Sequence, residues 1–451
     1  MCSMYTMPSY FAIIDCVPYV FIICLVTLLY YWMIIPIYNL WLHPLAKYPG
    51  PSTWAMSQIP WTVMFCSGEA HRSLLELHDR YGPVVRIGPD ELSYTEPGAW
   101  ADIMGRRKSD PPENPKAPWY CPPQSKHIAA APYEDHLRMR RILSPAFSGN
   151  AMAKQENLVL GYTSLLIDRL HELSVDETTA TIDIGLWFNF CLFDTIGDLA
   201  FGEAFGCLQE SAVHPWIAMI FASLRAGAIG TALNRFPLFR TFLPLIVPRK
   251  LLQLGEDLKR FSQEKISKRV ESKKTRPDFV EFMLSGTGSM KMTREEIDNN
   301  AFVLTVAGSE TTATALTGAT YLLATNPKSL TKLATEICNA FADDKTINFS
   351  SVRSLPFLDA VMHESLRIYP PGVNAQPRIV PPGGSLILGQ HVPENTVIGI
   401  PQRAMYLSES NFKRAKDFVP ERWLGETEFE TDRRDCFHPF SLGPRSCIGM
   451  T

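Results

Sequence analysis

Apolar positions change their rhythm three times along the chain. From Cys16 to Ile37 no charged residue occurs over 22 positions, and about 20 apolar residues are enough to cross a bilayer as a helix. Pro18 and Pro36 lie near its ends, and Tyr30, Tyr31 and Trp32 have the amphipathic rings that favour a membrane interface. The first Lys or Arg is Lys47, and basic residues are common after it. The positive-inside bias therefore predicts residues 1–15 in a lumen and the rest of the chain in the cytosol. A cleaved signal peptide would need a basic leader and a shorter apolar run. A buried core helix would also satisfy the pattern. An uncleaved anchor over 16–37 accounts for length and flanks together.

The rhythm then breaks. His43-Pro44-Leu45-Ala46-Lys47-Tyr48-Pro49-Gly50-Pro51 cannot continue a helix, because proline lacks the N–H and clashes with the preceding turn. Residues 38–60 are expected to form a stiff elbow before one domain spanning 61–451. Tyr81–Gly88 is bounded by turn residues and predicts a short strand. Residues 109–132, rich in Pro and polar groups, predict a long loop, and long loops in compact domains are often functional. From about 133 to 345 most apolar positions recur at helical spacing. Thr293 and Glu296 make a capping box that would start one of these helices. Between Pro381 and Pro401 the period shortens. Gly383–Gly389 and Thr396–Ile400 predict strands around turns. The fold class expected is mainly α with a small β portion (α+β). The apolar stretch from Trp216 to Val247 predicts core packing, and part of it could dip into a membrane interface.

Composition narrows the function classes. Net charge is −3, which argues against bulk nucleic-acid binding. The 10 cysteines are scattered without regular spacing. That excludes a small secreted disulfide scaffold and suggests buried free thiols.

Candidate chemistry sits near the end. In Phe440-Ser441-Leu442-Gly443-Pro444-Arg445-Ser446-Cys447-Ile448-Gly449, two glycines permit tight turns around one cysteine. A haem iron held by thiolate needs an ionised sulfur with backbone N–H groups aimed at it. Arg445 has the planar fork that suits a haem propionate, and Phe440 could cover the ring. A buried structural cysteine is the bland alternative. A zinc site from Cys436, His438 and Cys447 lacks a fourth ligand at normal spacing.

The ten-residue run resembles the haem-ligand signature of the cytochrome P-450 family, and other marks of that family follow in order. His136-Leu137-Arg138-Met139-Arg140-Arg141 resembles its propionate-binding helix, with His136 in place of the usual tryptophan and Arg140 one turn on. Ala307-Gly308-Ser309-Glu310-Thr311-Thr312 resembles its oxygen-activation segment, and Glu364-Ser365-Leu366-Arg367 its Glu-x-x-Arg helix. Phe418–Trp423 matches the motif that adds Arg422 to that pair, and Arg378 matches a further propionate contact. Tyr38–Leu45 and Asp194–Gly202 resemble fungal members of the isotrichodermin C-15 hydroxylase type.

The resemblance implies a haem-thiolate monooxygenase with haem b, anchored in the endoplasmic reticulum membrane by one span, its catalytic domain cytosolic. The implied partners are an NADPH-cytochrome P-450 reductase and a lipophilic substrate of secondary metabolism. It implies Cys447 as metal ligand and Glu310 and Thr311 as proton-handling residues. His136, Arg140, Arg378, Phe440 and Arg445 would contact the cofactor. Arg138 and Arg141 would face elsewhere and could meet an acidic electron donor. In the family the ligand loop opens a further helix, whereas this sequence stops at Thr451. The expectation is poor haem retention, with a non-catalytic remnant as the alternative function and an anchored zinc-binding adaptor as a third.

Overall fold

The computed structural model describes residues 19, 22, 26, 29–108, 110–122, 124–176, 181–236, 249–272, 276, 278–374 and 376–450. Most of the expected 16–37 anchor lies outside them. What is described there is helical and continues to Leu42, so the chain turns at His43 rather than at residue 38. Leu45, in the turn, is fully buried and packs into the sheet-side core. Three helices follow: α1 (Ser52–Met56), α2 (Ile59–Ser67) and α3 (Ala70–Tyr81).

The small β portion forms around them. The expected strand at 81–88 is β1 (Val84–Gly88); it pairs antiparallel with β2 (Glu91–Tyr94), which the sequence pattern did not single out. The later strands are β3 (Arg378–Ile379), β4 (Ser385–Ile387), β5 (Gln390–Val392) and β6 (Val397–Gly399). One sheet has the order β1-β2-β6-β3, with β2 and β6 parallel, and β4–β5 is a separate hairpin. The four-stranded sheet thus joins residues about 300 positions apart.

The helical mass contains α4 (Ala99–Met104), α5 (Tyr133–Leu143), α6 (Gly149–Asp176), α7 (Ile184–Phe201), α8 (Pro215–Leu233) and α9 (Arg249–Glu271). It continues with α10 (Phe279–Leu284), α11 (Arg294–Thr325), α12 (Pro327–Ala340), α13 (Pro356–Ile368) and α14 (Gln402–Tyr406). The capping box at the start of α11 forms. The Thr293 hydroxyl accepts from the Glu296 N–H at 3.2 Å, and the Glu296 carboxylate accepts from the Thr293 N–H at 2.8 Å.

α11 lies along α7. Close approach is possible because Gly308 has no Cβ; one added there would sit 3.1 Å from the Ile196 Cδ1. Behind them Trp216, fully buried, clusters with Phe205 and Phe261, its ring centroid 5.2 and 5.1 Å from theirs. Each such ring contributes about 1.5–3 kcal/mol on burial.

Two described helices are long and apolar enough to cross a membrane. More than half of α7 is buried inside the protein, which marks it as a core helix. The apolar window of α8 is only 24% buried, and Phe221, Leu224 and Ile229 are exposed on it. That face is the part of the expected interfacial stretch that the structure describes; residues 237–248 lie outside the described set.

Candidate active site

The cysteine run folds as a closed loop. The Cys447 N–H donates to the Phe440 carbonyl at 2.8 Å, and the Ser446 N–H donates to the Gly443 carbonyl at 3.1 Å. Gly443 has φ +81°, and a Cβ there would lie 2.1 Å from the Met104 carbonyl oxygen. Only glycine fits. Cys447 is a free thiol with an exposed side chain.

α5 braces this loop. The Arg140 Nη1 donates to the Ser446 carbonyl at 2.6 Å, and its Nη2 donates to the Ser446 hydroxyl at 3.3 Å. One turn earlier, the His136 Nδ1 lies 2.8 Å from the Ile128 carbonyl and its Nε2 lies 3.2 Å from the Pro444 carbonyl. Burial lowers the His136 pKa most strongly. A neutral imidazole donates through only one nitrogen, so the ring is hydrogen-bonded to one of these two carbonyls and packs against the other, between the 109–132 loop and the ligand loop. Arg138 is not free either. It pairs with Glu296 at 2.5 Å and with Asp135 at 3.0 Å.

On the other side of the loop lies a charged cluster. The Arg445 Nε and Nη2 hold Glu113 at 2.7–3.0 Å, and its Nη1 donates to the Ala131 carbonyl at 2.8 Å. Arg378 is 3% exposed and approaches the same Glu113 at 3.9 Å. Its Nη1 donates to the Asn114 carbonyl at 3.1 Å, while its buried Nε has no partner. Burial pulls the Arg378 pKa down to about 10. Lys116 is bridged to Arg378 through the backbone, and its ammonium donates to the Ala129 carbonyl. Burial pushes its pKa down to about 7.

The predicted loop at 109–132 is therefore found, and it carries Glu113 and Lys116 to the arginines. Sequence reasoning missed both, because a lone acid and a lone lysine in a loop have no diagnostic spacing. The cluster presents three basic side chains, one carboxylate and an unpaired buried guanidinium N–H. Such a set fits a cofactor edge bearing two carboxylates.

In α11, Thr311 is exposed and donates to the Ala307 carbonyl at 2.6 Å. Ser309 is fully buried and bonds the Thr305 carbonyl at 2.6 Å. Glu310 differs from both. Its Oε2 is buried and has no partner, and burial raises its pKa. The arrangement offers one carboxyl able to carry a proton and one hydroxyl already committed to its own helix.

Behind the ligand loop, Glu364 is fully buried and accepts five hydrogen bonds. They come from the Arg367 Nε and Nη2 (2.8 and 2.7 Å), the Arg422 Nε (3.0 Å), the Trp423 Nε1 (3.0 Å) and the Val419 N–H (2.9 Å). Arg422 also pairs with Asp432 at 2.6 Å. The arginine bonds lower the Glu364 pKa against the opposing effect of burial. This network ties α13 to the 413–434 segment, and Glu364, Arg367 and Arg422 within it are fully buried.

The zinc alternative finds no site. Among the described residues no three His, Cys, Asp or Glu side chains gather to hold a metal ion. Cys436 is buried in the core, with its carbonyl accepting from the Trp100 Nε1 at 2.9 Å.

A cavity of about 310 Å³ lies against the four-stranded sheet, with Glu91 and Ser93 of β2 among its lining. Trp61, Met64, Leu74 and Trp119 line it, along with Gly372 and Pro377 from the segment leading to Arg378.

A family model described as Cytochrome P450 matches residues 48–451. The chain is similar to Cytochrome P450 monooxygenase bet2 of Neocamarosporium betae, 43% identical over 92% of this chain and 81% of that protein. It is 42% identical to the Trichothecene C-15 hydroxylase of Fusarium sporotrichioides, over 93% and 86% of the two chains. It is 41% identical to the Averantin hydroxylase of Dothistroma septosporum, over 91% and 78%.

Proposed function

The chain belongs to the cytochrome P-450 family, and from that premise we propose that it is a haem-thiolate monooxygenase acting on a lipophilic small molecule of fungal secondary metabolism. When bound, haem b supplies the iron at which dioxygen is reduced and split, with one oxygen atom going to substrate and the other to water. The residues of this chain do the rest. Cys447 is the metal ligand, presented by a loop that Gly443 shapes and Arg140 braces. Arg378, Arg445 and Lys116 form the basic edge that would receive the propionates; His136 and Arg140 position the loop that carries the sulfur. Phe440 closes the loop on its other side. Glu310, with its raised pKa and free oxygen, delivers protons, and Thr311 lies beside it on the same helix. Electrons would come from an NADPH-cytochrome P-450 reductase. The exposed apolar face of α8 and the uncharged 16–37 stretch support single-pass anchoring in the endoplasmic reticulum membrane.

The observation that carries this reading is the closed cysteine loop set against a buried basic cluster. Its test is reconstitution of the purified chain with haemin, followed by the reduced carbon monoxide difference spectrum. A thiolate-type band in the parent, lost in Cys447→Ser, is the expected result. A parent without that band, or a Cys447→Ser variant that keeps it, overturns the assignment.

A further inference from the structure

Glu113 is the one member of the charged cluster that the haem reading does not explain. It is 4% exposed and takes both nitrogens of one edge of Arg445 at 2.7–3.0 Å. A buried acid–base pair of this kind contributes little net stability, because desolvating both ions offsets their attraction. It also occupies the guanidinium edge that would otherwise meet a propionate. We propose that Glu113 is a resident counter-carboxylate of the haem edge, a positioning residue that holds one edge of Arg445 away from the propionates and sets the charge of the cofactor's surroundings. The proposal rests on the haem-thiolate reading above.

Charge balance supports it. Arg378, Arg445 and Lys116 act on one another and on Glu113 within one cluster. When Lys116, whose pKa burial pulls down to about 7, is protonated, three cations around one carboxylate leave an excess of two positive charges, which matches the two propionates of haem b. The other titratable neighbours stay uncharged near neutral pH. Burial raises the Cys121 thiol and lowers the His127 and His136 imidazoles. Arg140 stands apart, bonded to Ser446 and facing Cys447. Without Glu113 the excess would be three, and Arg445 would keep only its bond to the Ala131 carbonyl. The unpaired buried Nε of Arg378 is the donor left over for a propionate oxygen once Glu113 has engaged Arg445.

The test uses the full chain reconstituted with haemin. It reads the ferric/ferrous potential by spectroelectrochemistry and the rate of haem loss to excess apomyoglobin. Glu113→Gln removes the charge and keeps the shape. A buried negative charge near the iron favours the ferric state, so its removal shifts the potential in the positive direction. It also frees Arg445 for the cofactor, so haem loss slows, on the order of tenfold. Glu113→Asp is made alongside because it is milder and keeps the charge. It should hold the parent potential while haem loss differs from the parent's, since the shorter side chain cannot hold Arg445 in the same place. If Glu113 only tied the 109–132 loop to the ligand loop, Glu113→Gln would lose haem faster at an unchanged potential, and the proposal would be overturned. A shifted potential in Glu113→Asp would overturn it too. A parent that forms no thiolate-type band fails at the earlier step and rejects the haem reading itself.

Discussion

Glu364→Gln tests the buried network directly. The substitution is nearly isosteric, so the change is in charge and hydrogen bonding. In the parent, Glu364 Oε1 accepts from the Arg367 Nη2, the Arg422 Nε and the Val419 N–H, and Oε2 accepts from the Arg367 Nε and the Trp423 Nε1. A glutamine keeps one acceptor oxygen. Placed at the Oε1 position, it retains three contacts and turns its NH2 toward two donors. Arg367 then has no carboxylate partner, whereas Arg422 keeps Asp432. Leaving one buried charge unpaired costs about 3–5 kcal/mol, and about 4 kcal/mol is the expected loss. With an unfolding entropy of about 2.1 cal/mol/K per residue over roughly 400 residues, that lowers Tm by about 5 °C. Thermal unfolding followed by circular dichroism measures it. The comparison is Lys332→Ala, which removes the half-exposed pair with Glu421 and should cost under about 1 kcal/mol. If Glu364→Gln unfolds within a degree of the parent, or no earlier than Lys332→Ala, the reasoning about the buried pair is wrong.

Three further outcomes follow from the same geometry. Gly443→Ala places a Cβ against the Met104 carbonyl at a positive φ; it should displace the ligand loop and abolish the thiolate-type band while leaving far-ultraviolet circular dichroism unchanged. Glu310 has a pKa raised by burial, so if it donates the proton, turnover should fall as pH rises through that elevated value. Glu310→Gln should remove this limb of the pH profile and lower turnover on the order of 10²-fold, read as product formed per minute. Finally, Glu364 has a folded-state pKa lowered by its arginines. Its stabilisation is present above the unfolded value, about 4.3, and is lost as pH falls through the folded one. Acid unfolding should therefore be steeper in the parent than in Glu364→Gln, as a pH titration at fixed urea would measure.

Much of the site was legible in the chain before any coordinates. The capping box at Thr293 and Glu296, the strand at Val84–Gly88, the loop over 109–132 and the need for glycine at 443 all depend on local chemistry. Local chemistry is written in neighbouring residues. Glu364 and Arg367 share a helix face for the same reason.

Other features are set by long-range packing. Glu113 meets Arg445 only because the 109–132 loop folds across the ligand loop, and Arg422 meets Glu364 only because the 413–434 segment packs against α13. His136 and Arg140 share the expected face of α5 and meet the backbone of the ligand loop. Arg138 was expected on the surface and is paired with the acid that caps α11. The sequence by itself determined which residue types stand where periodicity and turn geometry demand them, and so the cysteine loop and the helical mass around it. Only the tertiary structure decided which charges neutralise one another. A side chain's partner in a buried cluster depends on distances between segments hundreds of residues apart, and no local pattern encodes those distances.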